Sequence, residues 1–320
     1  MNRDIVERKR EVIQRFGPWI ANNIHLVDDC YTIGEKIEGD EVKLRRILQV
    51  VSDITKRPLE TLRVLDLACL EGLYAIEFAR HAARAVGIEG REAHIAKARF
   101  VKNELSLNNL EFFQDDVRNV TKAKYGEFDV VLCLGILYHL DVPDVFSFLE
   151  QIADVCQDVI IIDTRIALGP TRSYTHKGTQ YWGHSIREHR PNDTREQKLS
   201  RYWASLDNVT SFHLSRTSLY CMLGRLGFTS VYECHLPAEP TKPIDRITVV
   251  GIKGRRQRII NSPLMEQYPV DNAPHEFTLH RIERMYGHFY RVSRLVPEKL
   301  RILLQSRGVL SALFKPYKPR

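Results

Sequence analysis

The chain has 320 residues, 43% hydrophobic and 27% charged, which is enough apolar material for a sizeable core and the balance of a soluble globular protein. No run approaches eighteen apolar residues, so no spanning helix is expected, and the opening MNRDIVERKREVIQRF lacks the apolar centre of a signal peptide. Six cysteines (Cys30, Cys69, Cys133, Cys156, Cys221, Cys234) occur without any C-x-x-C, which suits free thiols in a reducing cytoplasm and not a disulfide framework or zinc site.

Residues 1–16 read as a charged helix that Gly17 and Pro18 break. The stretch PWIANNIHLVDDCYTIGE has too few periodic positions for a long helix, yet it carries Trp19, Asn22, Asn23, His25 and Tyr31. The spacing of Leu44, Ile47, Leu48, Val51 and Ile54 predicts a core-packing helix over 40–54. Next comes VLDLACLEG, in which Val64, Leu65 and Leu67 suit a buried parallel strand and Asp66 lies near its carboxyl end. A small-residue turn, 68–72, leads into a helix over 73–82 whose free N–H groups face a polar ligand. Only Gly72 survives of a G-x-G-x-x-G pattern, so a diphosphate pressed against this backbone is disfavoured.

A second strand, 85–88, ends in Glu89, and an acid there can accept both hydroxyls of a ribose. After a helix over 92–105, a third strand, 110–113, closes on Gln114, Asp115, Asp116 and Val117; an acid at that edge can accept a hydrogen bond from an adenine amino group. FDVVLCL, 128–134, is the fourth strand, followed by Gly135, Ile136, Leu137, Tyr138 and His139. A helix over 144–155 precedes a fifth strand, 159–162, with Asp163, Thr164 and Arg165 on the crevice side.

Residues 169–208 lack clear periodicity and are dense in aromatic side chains, including Tyr174, Tyr181, Trp182 and Trp203, which reads as a substrate cap. His176, His184 and His189 match no ligand spacing, so solvated loop histidines are preferred to a metal site. A helix is expected over 210–228, capped by Ser215 or Thr217 and ended by Gly227, then strands over 229–235 and 246–253. Residues 255–278 read as a linker with Pro263, Pro269 and Pro274. From Arg281 onward ten basic residues face two acidic ones, so the chain's net charge of +7 resides in this tail. A helix over 297–314 would there set Leu300, Leu303, Leu304, Leu310 and Phe314 against Lys299, Arg301 and Arg307. It would either pack on the domain or dock on nucleic acid or an anionic membrane.

LDLACLEG, GIEG, the acidic pair in FFQDDVRNV and FDVVLCLGILYHL, in that order, resemble the motifs of class I S-adenosylmethionine-dependent methyltransferases over about residues 65–250. GILYH is also similar to the tRNA wobble-uridine carboxymethyltransferase group. The family usually has Gly where this chain has Ala68, a residue that disfavours positive φ. The resemblance implies a Rossmann-like, doubly wound α/β sheet of seven strands with the last antiparallel, a closing hairpin that NAD-binding domains lack. It implies an N-terminal helical lid in 1–55 and the methyltransferase domain in 56–254, to which composition adds the cap insertion at about 169–208 and a linker with a basic helical extension in 255–320.

It also implies S-adenosylmethionine as cofactor, with no metal. Asp66 and the turn from Ala68 to Gly72 would hold the methionine moiety, Glu89 the ribose, and Asp116 with Val117 the adenine. Leu134 and Gly135 would flank the methionyl part. His139 is the candidate base, beside Tyr138, with Asp141 second. The expected function is methyl transfer to an acceptor, a small molecule first. The alternatives are a catalytically silent binding module and a carboxymethyl or methyl transferase acting on tRNA.

Overall fold

The computed structural model describes residues 3–34, 40–236, 239 and 242–255. The expectations for the linker and the basic tail with its helix therefore lie outside the described residues, Arg255 apart. Helix α1 (Arg3–Phe16) is followed by a small hairpin, β1 (His25–Val27) and β2 (Cys30–Tyr31), and by α2 (Asp40–Ile54). Then strands and helices alternate: β3 (Arg63–Leu67), α3 (Leu73–Ala79), β4 (Arg84–Glu89), α4 (Glu92–Glu104), β5 (Leu110–Gln114), α5 (Lys122–Tyr125), β6 (Phe128–Leu134), α6 (Asp144–Val155) and β7 (Cys156–Arg165). A second set follows: β8 (Arg172–His176), β9 (Thr179–Arg187), α7 (Arg195–Leu199), β10 (Thr210–Leu214), α8 (Arg216–Arg225), β11 (Phe228–Glu233) and β12 (Arg246–Lys253).

The main sheet has seven strands in the order β11-β12-β7-β6-β3-β4-β5, with β12 antiparallel to both its neighbours and the rest parallel. This is the doubly wound sheet with an antiparallel last strand that the motifs imply. Its strands are apolar on both faces because helices cover both. Leu65, Leu67, Val131, Cys133, Ile160 and Ile162 pack towards α6 and α8, whereas Val64, Val130, Leu132 and Ile161 pack on Ile47 and Val51 of α2. Each such fully buried aliphatic side chain contributes about 1.5–3 kcal/mol relative to an exposed one.

Two expectations need correction. The stretch 169–208 is not loop throughout: β8 and β9 lie within it and form, with β10, a three-stranded antiparallel sheet in the order β10-β9-β8. The expected helix over 210–228 begins as a strand. Thr210–Leu214 pairs with β9, buries Phe212 and Leu214, and binds the Leu140 carbonyl through the Phe212 N–H at 2.8 Å. Tertiary pairing overrides local helix preference there. The helix starts only after Ser215, whose side chain caps it by accepting the Ser218 N–H at 3.2 Å. The fifth parallel strand is also longer than its apolar run, because pairing with β12 continues to Arg165.

Candidate active site

The strand order turns at β3, which has β4 on one side and β6 on the other, and the carboxyl ends of these strands open into a crevice. Asp66 and Glu89 lie there, both buried. Asp66 Oδ2 accepts the Ala75 N–H in the first turn of α3 at 3.1 Å. Burial pushes the Asp66 carboxyl up, the Ala75 N–H draws it partly back and the charge of Glu89 adds to the rise, leaving it at about 7.

The turn between β3 and α3 has three residues at positive φ: Ala68 (53°), Leu70 (49°) and Gly72 (91°). Ala68 thus takes the left-handed conformation that its side chain disfavours, at a cost of about 1–2 kcal/mol. Gly72 is required twice over, since a Cβ there would also lie 2.7 Å from the Phe112 ring. The Leu70 N–H donates to Glu89 Oε2 at 3.2 Å and the Arg91 N–H to Oε1 at 2.8 Å. Burial alone would raise the Glu89 carboxyl, but the adjacent His94 imidazole and the Arg91 N–H outweigh it and hold it below the usual range. His94 Nδ1 stands 3.8 Å from Oε1, beyond hydrogen-bond length, and neither ring nitrogen finds a hydrogen-bond partner among the described residues.

This donor set fits S-adenosylmethionine. Two buried carboxylates, Asp66 and Glu89, lie together at the strand ends, which matches a ligand carrying an ammonium, a sulfonium and ribose hydroxyls. A cavity of about 1250 Å³ continues from the ends of β4 and β5, lined by Gly90, Arg91, Asp115, Asp116, Tyr202 and Leu206. At Gly90 the 199–207 segment comes so close that a Cβ would lie 2.4 Å from the Leu206 side chain.

The acidic pair after β5 is largely committed. Asp115 accepts from Tyr125 at 2.5 Å, Lys124 at 2.6 Å and Asn119 at 2.9 Å. Burial would raise its carboxyl, and these donors bring it down to about 2. Asp116 caps the short turn of buried Val117 and pairs with Arg118 at 2.6 Å; that guanidinium also reaches Asp144 and Asp207.

Leu134 ends β6, and Gly135 follows at φ 102°, its N–H on the Asp163 carbonyl at 2.9 Å. In the short turn beyond it, the Tyr138 and His139 rings lie 4.3 Å apart. His139 Nδ1 is 3.0 Å from each carboxylate oxygen of Glu188. Burial would raise Glu188, but the His139 contact and charge hold it low and therefore ionised. An ionised carboxylate only accepts, so in the neutral imidazole it keeps the proton on Nδ1 and leaves Nε2 as the basic atom. Asp141, the second candidate base, is engaged by the Val142 N–H and the Thr210 hydroxyl.

The three residues ending β7 are paired rather than presented. Asp163 is buried against Lys43 and Arg246, Thr164 is buried, and Arg165 binds Asp245. The loop histidines do not converge: His176 bonds Glu150 at 2.8 Å and His189 bonds the Ser205 carbonyl at 2.9 Å. No metal-holding group of His, Cys, Asp or Glu occurs among the described residues.

The sequence did not single out Glu188, Glu71 or Arg246. Glu71 is buried in the crevice turn, accepts the N–H groups of Ile20, Ala21 and Asn22 at 2.8–3.0 Å, and pairs with buried Lys97 at 2.8 Å. The Arg246 guanidinium lies 5.6 Å from the Tyr138 ring centre. The one local signal was for Glu71, a charge set among apolar residues in a tight turn. Glu188 and Arg246 act on residues far away in the chain.

Residues 64–158 match the model of a methyltransferase domain family. The ubiquinone biosynthesis O-methyltransferase of Acinetobacter baumannii (strain AYE) is 33% identical over 98 residues, 31% of this chain and 39% of that protein. The O-antigen chain terminator bifunctional methyltransferase/kinase WbdD of Escherichia coli is 27% identical over 168 residues, 51% of this chain and 22% of that protein. This chain thus spans well under half the length of these curated relatives. Among solved structures, the N-terminal domain of EvdMO1, crystallised in the presence of SAH and D-fucose, superposes with a TM-score of 0.60 at 25% identity over 79% of this chain and 98% of that one. Motif order, sheet topology and these likenesses agree that the chain is built around a class I S-adenosylmethionine-dependent methyltransferase domain.

Proposed function

We propose that this protein transfers a methyl group from S-adenosylmethionine to a hydroxyl oxygen of a small, polyhydroxylated acceptor. The observation that carries the reading is the His139–Glu188 pair at the end of β6. A hydroxyl is a poor nucleophile until its proton leaves, so its methylation calls for a general base at the acceptor side of the crevice. When bound, S-adenosylmethionine supplies an activated sulfonium methyl group. Glu188 fixes the imidazole so that Nε2 faces away from it; Nε2 takes the acceptor proton, and Glu188 stabilises the imidazolium that forms. Tyr138, with Arg246 beside its ring, would form a wall of the acceptor pocket.

In this reading Glu89 holds the ribose hydroxyls, and Asp66 with the turn from Ala68 to Gly72 holds the methionine moiety. Asp116 and Val117 meet the adenine, and Leu134 and Gly135 flank the methionyl chain. Residues 1–55 serve as lid, 56–254 as the catalytic domain, and 255–320 as an extension. The choice of a polyhydroxylated acceptor is supported by the EvdMO1 domain, studied with D-fucose, and that of oxygen by the ubiquinone O-methyltransferases. Among the described residues no helix is long and apolar enough to cross a membrane, and the six cysteines are free, which supports a reducing, cytoplasmic setting.

The test uses methyl-labelled S-adenosylmethionine with D-fucose and related sugars as acceptors. The wild type should label an acceptor oxygen, and His139→Gln should do so about 10²–10⁴-fold more slowly while still binding S-adenosylhomocysteine. Full activity of His139→Gln would remove the base, and transfer only to nitrogen or carbon would remove the acceptor class.

A further inference from the structure

The carboxylate that holds His139 is itself held from the cofactor side of the crevice. Glu188 Oε2 accepts the backbone N–H of Ser205 at 3.0 Å. Ser205 lies in the irregular stretch between α7 and β10, where no strand ladder sets the path of the chain. One buried side chain fastens much of that path. The Arg91 guanidinium donates to the carbonyls of Leu199 (3.2 Å), Arg201 (3.1 Å), Ala204 (2.8 Å) and Ser205 (3.3 Å). His189 adds one contact to the Ser205 carbonyl. The root of Arg91 is fixed as well, because its own N–H donates to Glu89 at 2.8 Å. Three residues, Arg91, Ser205 and Glu188, therefore join the acid at the end of β4 to the imidazole in the turn beyond β6.

We propose that Arg91 is a positioning residue for His139: by fixing the 199–205 turn it aims the Ser205 N–H at Glu188, which keeps the imidazole proton on Nδ1 and Nε2 free to act. Nη2 serves the carbonyls of Arg201, Ala204 and Ser205 while Nε serves that of Leu199, and a lysine ammonium, a single point of charge, cannot stand in both places. A buried arginine whose side chain binds four main-chain carbonyls of one segment acts on the shape of that segment. The catalytic consequence rests on the reading of His139 as base; the geometric claim stands without it.

The experiment reads the His139 tautomer by nitrogen-15 NMR of the imidazole in the full-length protein, without acceptor or turnover. The variants are Arg91→Gln, Arg91→Lys, Glu188→Gln and the double variant Arg91→Gln/Glu188→Gln, each checked for folding by S-adenosylhomocysteine binding. The wild type should show a single Nδ1–H tautomer, and Glu188→Gln a mixture. Arg91→Gln and Arg91→Lys should also lose the single tautomer, and the double variant should be no worse than Glu188→Gln. Should the Arg91 variants fail to fold, Ser205→Pro deletes the N–H donor directly and should give the same loss. Retention of the single tautomer in a folded Arg91 or Ser205 variant overturns the proposal, as does a double variant with additive effects. An active His139→Gln enzyme would refute the base and leave the tautomer result untouched, so the two failures are distinct.

Discussion

Asp66 and His213 are buried groups whose protonation the fold shifts in opposite directions, and each gives a pH signature. The Asp66 carboxyl is raised to about 7 by burial first and by Glu89. Its contribution to ligand-free stability is fully present below the unfolded carboxylate value and is lost as pH rises through 7. A cationic methionine moiety needs the ionised form, so S-adenosylhomocysteine should bind less tightly as pH falls below 7, by up to about tenfold per unit. Asp66→Asn should weaken binding and flatten that dependence; an equally steep dependence in the variant would exclude Asp66 as its source. His213 is lowered to about 4, chiefly by burial and then by His184, with Glu188 partly opposing. A group depressed on folding contributes stability that is present above about 6.5 and lost as pH falls through its folded value. Urea unfolding should therefore lose on the order of 2–3 kcal/mol between pH 6.5 and 4 from this group, and His213→Gln should show a shallower loss over that range.

At the scale of elements, the N-terminal segment is fastened to the crevice by one carboxylate. Glu71 receives three successive N–H groups of residues 20–22 and the buried Lys97 ammonium, which also binds the Pro18 carbonyl. Glu71→Gln leaves that ammonium buried without its counter-charge, and loss of one partner of a buried pair costs about 3–5 kcal/mol. Urea denaturation should show a loss of that size, with faster amide exchange at Ile20–Asn22; a loss under about 1 kcal/mol would mean that water already screens the pair.

The parallel core was legible because strands buried on both faces are written as apolar runs. β3 to β6 lie within a residue of where the sequence put them. The small sheet β10-β9-β8 was not legible, because β8 is largely exposed and takes its strand form from β9, which no local pattern shows. The same reason hid β10, whose identity depends on β9 and the Leu140 carbonyl. Within the site, residues at strand ends were readable by position, whereas Glu188 was not. It meets His139 across 49 residues, and a lone Glu in a charged loop carries no mark of its partner.

For the molecule as a whole, residues 195–207 and the end of α1 with Gly17 both border the cavity at the ends of β4 and β5. Hydrogen exchange with and without S-adenosylhomocysteine should show added protection in both 17–34 and 170–208. A response in neither would make them fixed walls that bind nothing. Reciprocally, a ligand at 100 times its dissociation constant should raise the unfolding free energy by about 2.7 kcal/mol.

The central claim is that the crevice at β3 and β4 is a cofactor site with Glu89 at its ribose end. Calorimetric titration with S-adenosylhomocysteine tests it most directly. The prediction is one site per chain, no comparable binding of NAD, and a loss of about 1–3 kcal/mol in Glu89→Ala for hydrogen bonds removed at a buried acceptor. Absence of binding by the wild-type protein, tighter binding of NAD, or unchanged affinity in Glu89→Ala would contradict it.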